Sequence, residues 1–396
     1  MNQLDAGQSQ NTMASSGSLR QIAVLFLKLG MLGFGGPAAH IAMMHEEVVN
    51  RRRWMSREEF LDLLGATNLI PGPNSTELAI HIGHRQHRWP GLIVAGCCFI
   101  LPAAVVVTIG AWAYVRYGSF PEAAALLYGV KPVIIAIVLQ ALWELGRAAI
   151  KTKFLALLFA AGAALAFEGM HELAILFAGA VASGLGHQLR HPKVRNSGLL
   201  AVGPIALLGQ TAVATSAMGV LPFSIWTLFL FFLKVGSVLF GSGYVLLAFM
   251  RADLVERYHW LTESQLLDAI AIGQATPGPL FTTATFIGYL LGGLLGATVS
   301  TFGIFLPAFF FVAVSGPFLP QLRRSPTAGA VLDGINTASL SLMAVVSYQL
   351  GHAALIDIPA IILAIASAFV MVRFRINSAW LVLGGAAVGL THYVKA

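Results

Sequence analysis

Apolar residues in this chain run in unbroken stretches, as at 100–113 and 358–372, instead of alternating with polar ones. Unbroken runs predict helices, because a membrane barrel reads as alternation with a period of two. The first run, 19–34, is shorter than the roughly 20 residues of a comfortable crossing and stops at Gly33-Phe34-Gly35-Gly36-Pro37, after which a second short arm covers 38–50. These two arms predict a re-entrant hairpin. A second hairpin opens at Ser56, with Glu59 three residues on as a capping box. Its first arm must break at Pro71-Gly72-Pro73, since proline removes a helical donor and clashes with the turn before it. Asn74 is the expected N-cap of the arm that restarts. Four longer runs follow, at 92–115, 124–146, 154–167 and 172–185.

The same succession then returns. Phe26-Leu27-Lys28-Leu29-Gly30 reappears as Phe232-Leu233-Lys234-Val235-Gly236, and Pro71-Gly72-Pro73 as Pro277-Gly278-Pro279, both at an offset of 206 (232 − 26 and 277 − 71). After a one-residue slip near Ile82 the offset is 205, pairing Gly83 with Gly288, Pro102 with Pro307 and Gly129 with Gly334. Thr262 and Gln265 repeat the capping box, and spans are expected at 297–318, 331–351, 358–372 and 379–391. The apolar segment 199–221 has no counterpart. Basic residues orient the halves. If the hairpins do not cross, Arg51, Arg52, Arg53, Arg57, Arg85, Arg88, Arg147, Lys151, Lys153, Arg190, Lys193 and Arg195 collect on one side of half one, which the positive-inside rule makes cytoplasmic. Segment 199–221 then carries the chain across, and Arg323, Arg324, Arg373 and Arg375 fall inside only if half two is inverted. The expected fold is an all-α polytopic membrane protein of two inverted-topology repeats, each with two broken or re-entrant helical hairpins followed by about four spans. Its units are a polar tail (1–18), a first repeat (19–187), a linker with the unpaired transmembrane segment (188–222) and a second repeat (223–396).

Composition agrees with a membrane setting. With 57% hydrophobic and 10% charged residues, the chain cannot present a soluble surface, which takes roughly 25% charge. The formal charge of +7 lies in short clusters between apolar runs, a loop pattern and not a nucleic-acid-binding face. Cys97 and Cys98 are adjacent and offer neither a metal spacing nor a disulfide; no cofactor is expected. The first eighteen residues are polar and lack an apolar h-region, so no cleaved signal peptide is expected and the N-terminus is placed in the cytoplasm.

Lys28 and Lys234 are the sharpest candidates for chemistry. Each sits in an apolar arm, where a lipid-facing cation costs at least about 2.5 to 3.5 kcal/mol. Snorkelling, or a buried pair with a carboxylate, would answer that cost for one lysine. Recurrence at equivalent places favours two cations near a shared pseudo-axis, which suits a dianion. The Pro-Gly-Pro tips are the second component. A helix restarting at membrane depth presents free N–H groups and partial positive charge, here around Pro71, Gly72 and Pro73 with Asn74, Ser75 and Thr76, and around Pro277, Gly278 and Pro279 with Phe281, Thr282 and Thr283. A purely structural kink is the alternative. Gly35, Gly36, Gly241 and Ser242 in the first-hairpin tips would add backbone donors. Asn68 and Gln274, matched just before the tips, are second-rank amide donors or core bridges. Glu77 is matched by Thr283 and breaks the symmetry; it would bind a proton as a multivalent anion leaves, unless a salt bridge to Lys28 or Arg85 holds it. His81, one turn on, carries the same two readings. His84 and His87 beside Arg85 and Arg88 read as a loop, not a metal site.

Phe26-Leu27-Lys28-Leu29-Gly30, Gly33-Phe34-Gly35-Gly36-Pro37, Trp54, Pro71-Gly72-Pro73 and their copies through Trp260 and Pro277-Gly278-Pro279 closely resemble the chromate ion transporter family, over nearly the whole chain from about residue 19. The chain is similar to the long, two-domain form. That resemblance implies fused halves of opposite orientation that export chromate across the bacterial inner membrane and confer resistance. The second tip departs from it, reading Phe240-Gly241-Ser242-Gly243 without Gly-Gly-Pro, so the two tips need not bind equally. The residues themselves show a basic, donor-rich oxyanion site in a lipid bilayer. Chromate and sulfate share charge and shape, so sulfate is an expected competitor; protons are the expected coupling ion, and a homodimer is admitted. Sulfate uptake or exchange is the alternative within transport. A membrane redox enzyme is disfavoured by the lack of a dinucleotide fingerprint, haem motif or cysteine cluster, and a structural subunit would bind no anion. The topology is testable: cysteines placed near Arg52 and near Arg324 should react with impermeant thiol reagent only from the cytoplasm, and one near Glu168 only from outside. Cytoplasmic labelling at all three would refute the inverted arrangement.

Overall fold

A computed structural model describes residues 17–118, 120–190, 223–240, 243–315, 325–374 and 376–395. Among them there is helix and no strand. Half one comprises α1 (Leu19–Leu32), α2 (Gly36–His45) running on into a π-helical turn (Glu46–Arg51), α3 (Arg57–Thr67), α4 (Asn74–Tyr117), α5 (Pro121–Ala149), α6 (Lys153–Phe167) and α7 (Glu172–Arg190). Half two comprises α8 (Ile225–Val238), α9 (Leu246–Met250) with its π-helical turn (Arg251–Arg257), α10 (Glu263–Ala275), α11 (Thr283–Ser315), α12 (Pro326–Ala354), α13 (Ile358–Phe374) and α14 (Ser378–Lys395). The unpaired segment 199–221 and Arg323 and Arg324 lie outside the described residues.

Local chemistry sets the helix starts. Both predicted capping boxes form, Ser56 with Glu59 and Thr262 with Gln265. Two more open the first arms, Ser18 with Gln21 and Ser224 with Thr227. One expectation is corrected: Asn74 is not an N-cap, because Pro73 occupies that place and Asn74 is the first helical residue. Proline has no N–H to orphan at a helix start, so Pro73 fills the position at little cost. The span expected to begin at 92 is the second limb of α4, which breaks at His87 (φ −139°, ψ 30°) and Arg88 (φ 47°, ψ −131°). The limbs fold back on each other, since a Cβ on Gly83 would stand 2.2 Å from the Gly91 carbonyl oxygen. In α11 the break falls at Gly292 and Gly293 (φ 61°), and Gly288 meets Gly296 in the same way.

Five stretches are long and apolar enough to cross a membrane: α4, α5, α7, Leu280–Ser315 and α12, with mean hydropathy from 1.2 to 2.7. The arms α1 and α8 are 14 residues each, about 21 Å, against a hydrocarbon core of about 30 Å. Large apolar side chains such as Trp143, Phe302, Phe310 and Trp380 stay exposed, as lipid-facing positions do. This is a helical membrane protein.

The two halves interlock. Each first arm packs on its own broken hairpin, α1 on α4 and α8 on α11, and α4 packs on α11. The longer helices trade partners: α5 packs against α13 and α14, and α12 against α6 and α7. Glycine makes these crossings close. A Cβ on Gly129 of α5 would sit 2.0 Å from the Gly385 carbonyl oxygen of α14, and one on Gly334 of α12 would sit 2.2 Å from that of Gly179 in α7. Gly129→Ala should therefore destabilise the protein by about 1 to 3 kcal/mol, as overpacking does. Gly384→Ala, which has open space within 4 Å, should leave the thermal unfolding midpoint in detergent unchanged. Equal midpoints for the two variants would refute the crossing.

Candidate functional site

The two Pro-Gly-Pro breaks are built alike. After α3 the chain turns through Pro71-Gly72-Pro73 with Gly72 at φ +143°; after α10 it turns through Pro277-Gly278-Pro279 with Gly278 at φ +99°. These left-handed values favour glycine. Each tip then docks on the other half. The Gly72 N–H donates to the Leu239 carbonyl at 2.8 Å, and the Gly278 N–H donates to the Gly33 carbonyl at 2.8 Å. Gly33 and Leu239 are themselves related by the offset of 206 (239 − 33), so the two contacts are copies of each other. The docking is tight: a Cβ on Gly278 would lie 2.5 Å from that of Ala103, and one on Gly72 would lie 2.3 Å from Glu77 Oε1.

Around this crossing the first-hairpin tip closes in. Gly35 and Gly36 take φ +103° and +77° at the start of α2. A Cβ on Gly36 would come within 4.0 Å of the Tyr244 hydroxyl, and Tyr244 hydrogen-bonds with Gln274. The buried ring of His40 on α2 bridges the two tips of half one, with Nε2 2.8 Å from the Gly33 carbonyl and Nδ1 3.3 Å from Ser75 Oγ. The carbonyl can only accept, so Nε2 carries the proton and Ser75 donates to Nδ1. His40 and Tyr244 are the members that sequence reasoning missed; the signal available was a polar ring four residues after Gly36, flanked by Ala38, Ala39, Ile41 and Ala42. Gly241 and Ser242 lie outside the described residues.

The hydroxyls divide. Thr282 and Thr283 donate back to the Pro279 and Leu280 carbonyls, each at 2.8 Å, with a 3-10 turn (Leu280–Thr282) preceding α11. In half one, Asn74 Nδ2 donates to Asn68 Oδ1 at 2.9 Å. Several buried polar atoms make no hydrogen bond among the described residues: Asn74 Oδ1, Thr76 Oγ1 and both oxygens of Glu77. Native interiors leave few such groups, so each calls for a partner such as water, an ion or a ligand. Glu77 is fully buried. The salt bridges offered for it go elsewhere, Lys28 to Glu47 and Arg85 to Glu59. An ionised carboxylate buried with no donor or counter-charge from the described residues costs several kcal/mol. His81, one turn along, is also buried.

The lysines sit back from the crossing. Lys28 Nζ pairs with Glu47 at 2.8 Å and Lys234 Nζ with Asp253 at 2.5 Å. In both halves the geometry is a pair with a carboxylate on the returning arm. Both carboxylates also take an arginine, Arg51 on Glu47 at 3.4 Å and Arg257 on Asp253. At an offset of 206 (253 − 47, 257 − 51) the whole triad is duplicated. Lys28 and Arg51 line a cleft of about 320 Å³ with Glu46 and Glu47.

Residues 20–185 and again 226–390 match the chromate transporter family, two stretches that begin 206 residues apart and end 205 apart (226 − 20, 390 − 185). The chain is 32% identical over 383 residues to the chromate transport protein of Cupriavidus metallidurans, covering 95% of this chain and 94% of that one. It is 30% identical to a probable chromate transport protein of Synechococcus elongatus, covering 86% and 87%. To the chromate transport protein of Pseudomonas aeruginosa it is 31% identical, covering 87% and 84%. No solved structure matches. With both halves matched and relatives aligned along nearly their whole length, the chain belongs to the chromate transporter family.

Proposed function

We propose that this protein is a secondary transporter that exports chromate from the cytoplasm across the bacterial inner membrane, coupled to the proton gradient and conferring resistance. The observation that carries the reading is the crossing of the tips, where Gly72 and Gly278 dock on the opposite half beside buried polar groups that the protein itself leaves unpartnered. Broken helices are tolerated at membrane depth only where they are buried in protein or line a cavity, and paired breaks between repeats are where transporters hold their cargo. The helix start at Asn74 and the 3-10 turn (Leu280–Thr282) that leads into α11 supply backbone N–H donors suited to a tetrahedral oxyanion. The inverted arrangement is supported by the reciprocal contacts and by the placement of basic loops. Chromate as cargo comes from the named relatives.

Glu77 is the proton-exchanging group in this reading. A dianion and an ionised carboxylate repel in a dry site, so proton and anion occupancy depend on each other. Lys28 and Lys234 act as charge partners that exchange Glu47 and Asp253 for the anion as the hairpin arms part. The deciding measurement is radiolabelled chromate flux in proteoliposomes under an imposed pH gradient, with sulfate as competitor. Flux indifferent to the gradient would end the coupled reading.

Three variants test the parts. Gly278→Leu should insert normally and abolish flux, and Glu77→Gln should keep chromate binding while flux loses its response to the gradient; wild-type behaviour in both would reduce the tips to packing kinks. Lys28→Met and Lys234→Met together should weaken binding on the order of a hundredfold, the effect of removing a paired charge. Unchanged affinity in that double variant would leave the lysines as braces between arms.

A further inference from the structure

The two Pro-Gly-Pro tips are alike in backbone and unlike in side chains. At the offset of 206, Asn74, Ser75, Thr76 and Glu77 correspond to Leu280, Phe281, Thr282 and Thr283. In half two the first two are buried apolar side chains, and the threonine hydroxyls return to the Pro279 and Leu280 carbonyls. In half one Thr76 is fully buried, and its hydroxyl has no partner among the described residues. The same residue at the same place therefore ties its hydroxyl to its own turn in one half and keeps it free in the other.

A second difference lies behind the tip. The Ser75 hydroxyl donates to His40 Nδ1 at 3.3 Å, and the Phe99 ring meets the imidazole edge to face with centroids 5.3 Å apart. The counterparts of these three are Leu246 (40 + 206), Phe281 (75 + 206) and Ile304 (99 + 205), all buried in one apolar core. The fold thus closes this corner with hydrocarbon where closing it is all that is required. A buried imidazole and hydroxyl carry a desolvation cost that apolar side chains do not, so the polar corner in half one answers a need other than packing. What it does is fix a turn. His40 holds the Gly33 carbonyl through Nε2 and Ser75 through Nδ1, which pins the start of α4 to α2. The Thr76 and Glu77 N–H groups both go to the Pro73 carbonyl, leaving those of Asn74 and Ser75 as the open donors of the turn that carries the Thr76 hydroxyl.

We infer that side-chain recognition of the oxyanion at the tips falls to half one alone: Thr76 donates its hydroxyl hydrogen bond to an anion oxygen, and His40, acting through Ser75, is the positioning residue that holds the turn in place. The tip of half two contributes backbone and packing only. This rests on oxyanion transport as proposed above and assigns its side-chain donor to one repeat.

The test uses the full chain in proteoliposomes and follows chromate exchange over a range of chromate concentrations, which separates the half-saturating concentration from the maximal rate. Thr76→Val should raise the half-saturating concentration about tenfold, as losing a hydrogen bond to a charged group does, and Thr76→Ser, which keeps the hydroxyl, should restore most of the affinity. Thr282→Val should shift it less than Thr76→Val; equal shifts in the two valine variants would overturn the one-sided assignment. The triple variant His40→Leu, Ser75→Phe, Phe99→Ile gives half one the apolar corner that half two already packs. It should insert normally and need more chromate to saturate, with His40→Gln, whose amide keeps a donor and an acceptor, falling between it and the wild type. A triple variant with the wild-type half-saturating concentration would overturn the role of His40, and the valine comparison decides even if that variant fails to fold. A wild type without saturable exchange would end the transport reading itself, whereas equal valine shifts in a wild type that saturates would end only this inference.

Discussion

In a bilayer an unpaired backbone N–H has no water to turn to, and this fold meets that constraint by having each half complete the other. The helix breaks at the Pro-Gly-Pro tips would leave orphaned donors and carbonyls in the bilayer. The Gly72 and Gly278 N–H groups close on Leu239 and Gly33, so the interruption in one half is capped by the interruption in the other. Everything else at the centre is placed by that exchange. His40 reads it directly, because its ring binds the same Gly33 carbonyl that receives Gly278 and also holds Ser75 beside the other tip.

The charged triads take up the ends of the first hairpins, and their surroundings differ. In half two the triad is tied outward: Arg257 reaches Glu172 of α7 at 3.6 Å, and Arg251 beside it reaches Gln349 of α12 at 2.7 Å. In half one Arg51 bonds Glu46 and Glu47 of its own segment. Equivalent sequences thus sit in unequal environments.

Much of this was legible before any coordinates. Helix was legible because unbroken apolar runs and prolines leave few alternatives, and the four short arms because Gly33-Phe34-Gly35-Gly36-Pro37 and Pro71-Gly72-Pro73 cannot continue a helix. Repeat register located the lysines and tips as equivalents. What the sequence could not carry was partnership. Glu47 and Asp253 are ordinary acids at the ends of arms, and only the return of the hairpin brings them to Lys28 and Lys234. Asp268 and Lys131, paired at 3.0 Å, are 137 positions apart (268 − 131), and no periodicity links them. Asn74 misled because a good capping residue was read without weighing the proline before it.

The exchange of partners among the long helices sets a schedule for biogenesis. Helix α5 leaves the ribosome with Tyr128 ready to donate, but its acceptor Asp357 is 229 residues later in the chain. At about 5 to 20 residues per second, α5 waits on the order of tens of seconds, with its glycine face open, before α13 and α14 arrive. Half one must therefore persist in the membrane as an unfinished surface, and its exposure to quality-control proteases is fixed by the rate at which half two is translated.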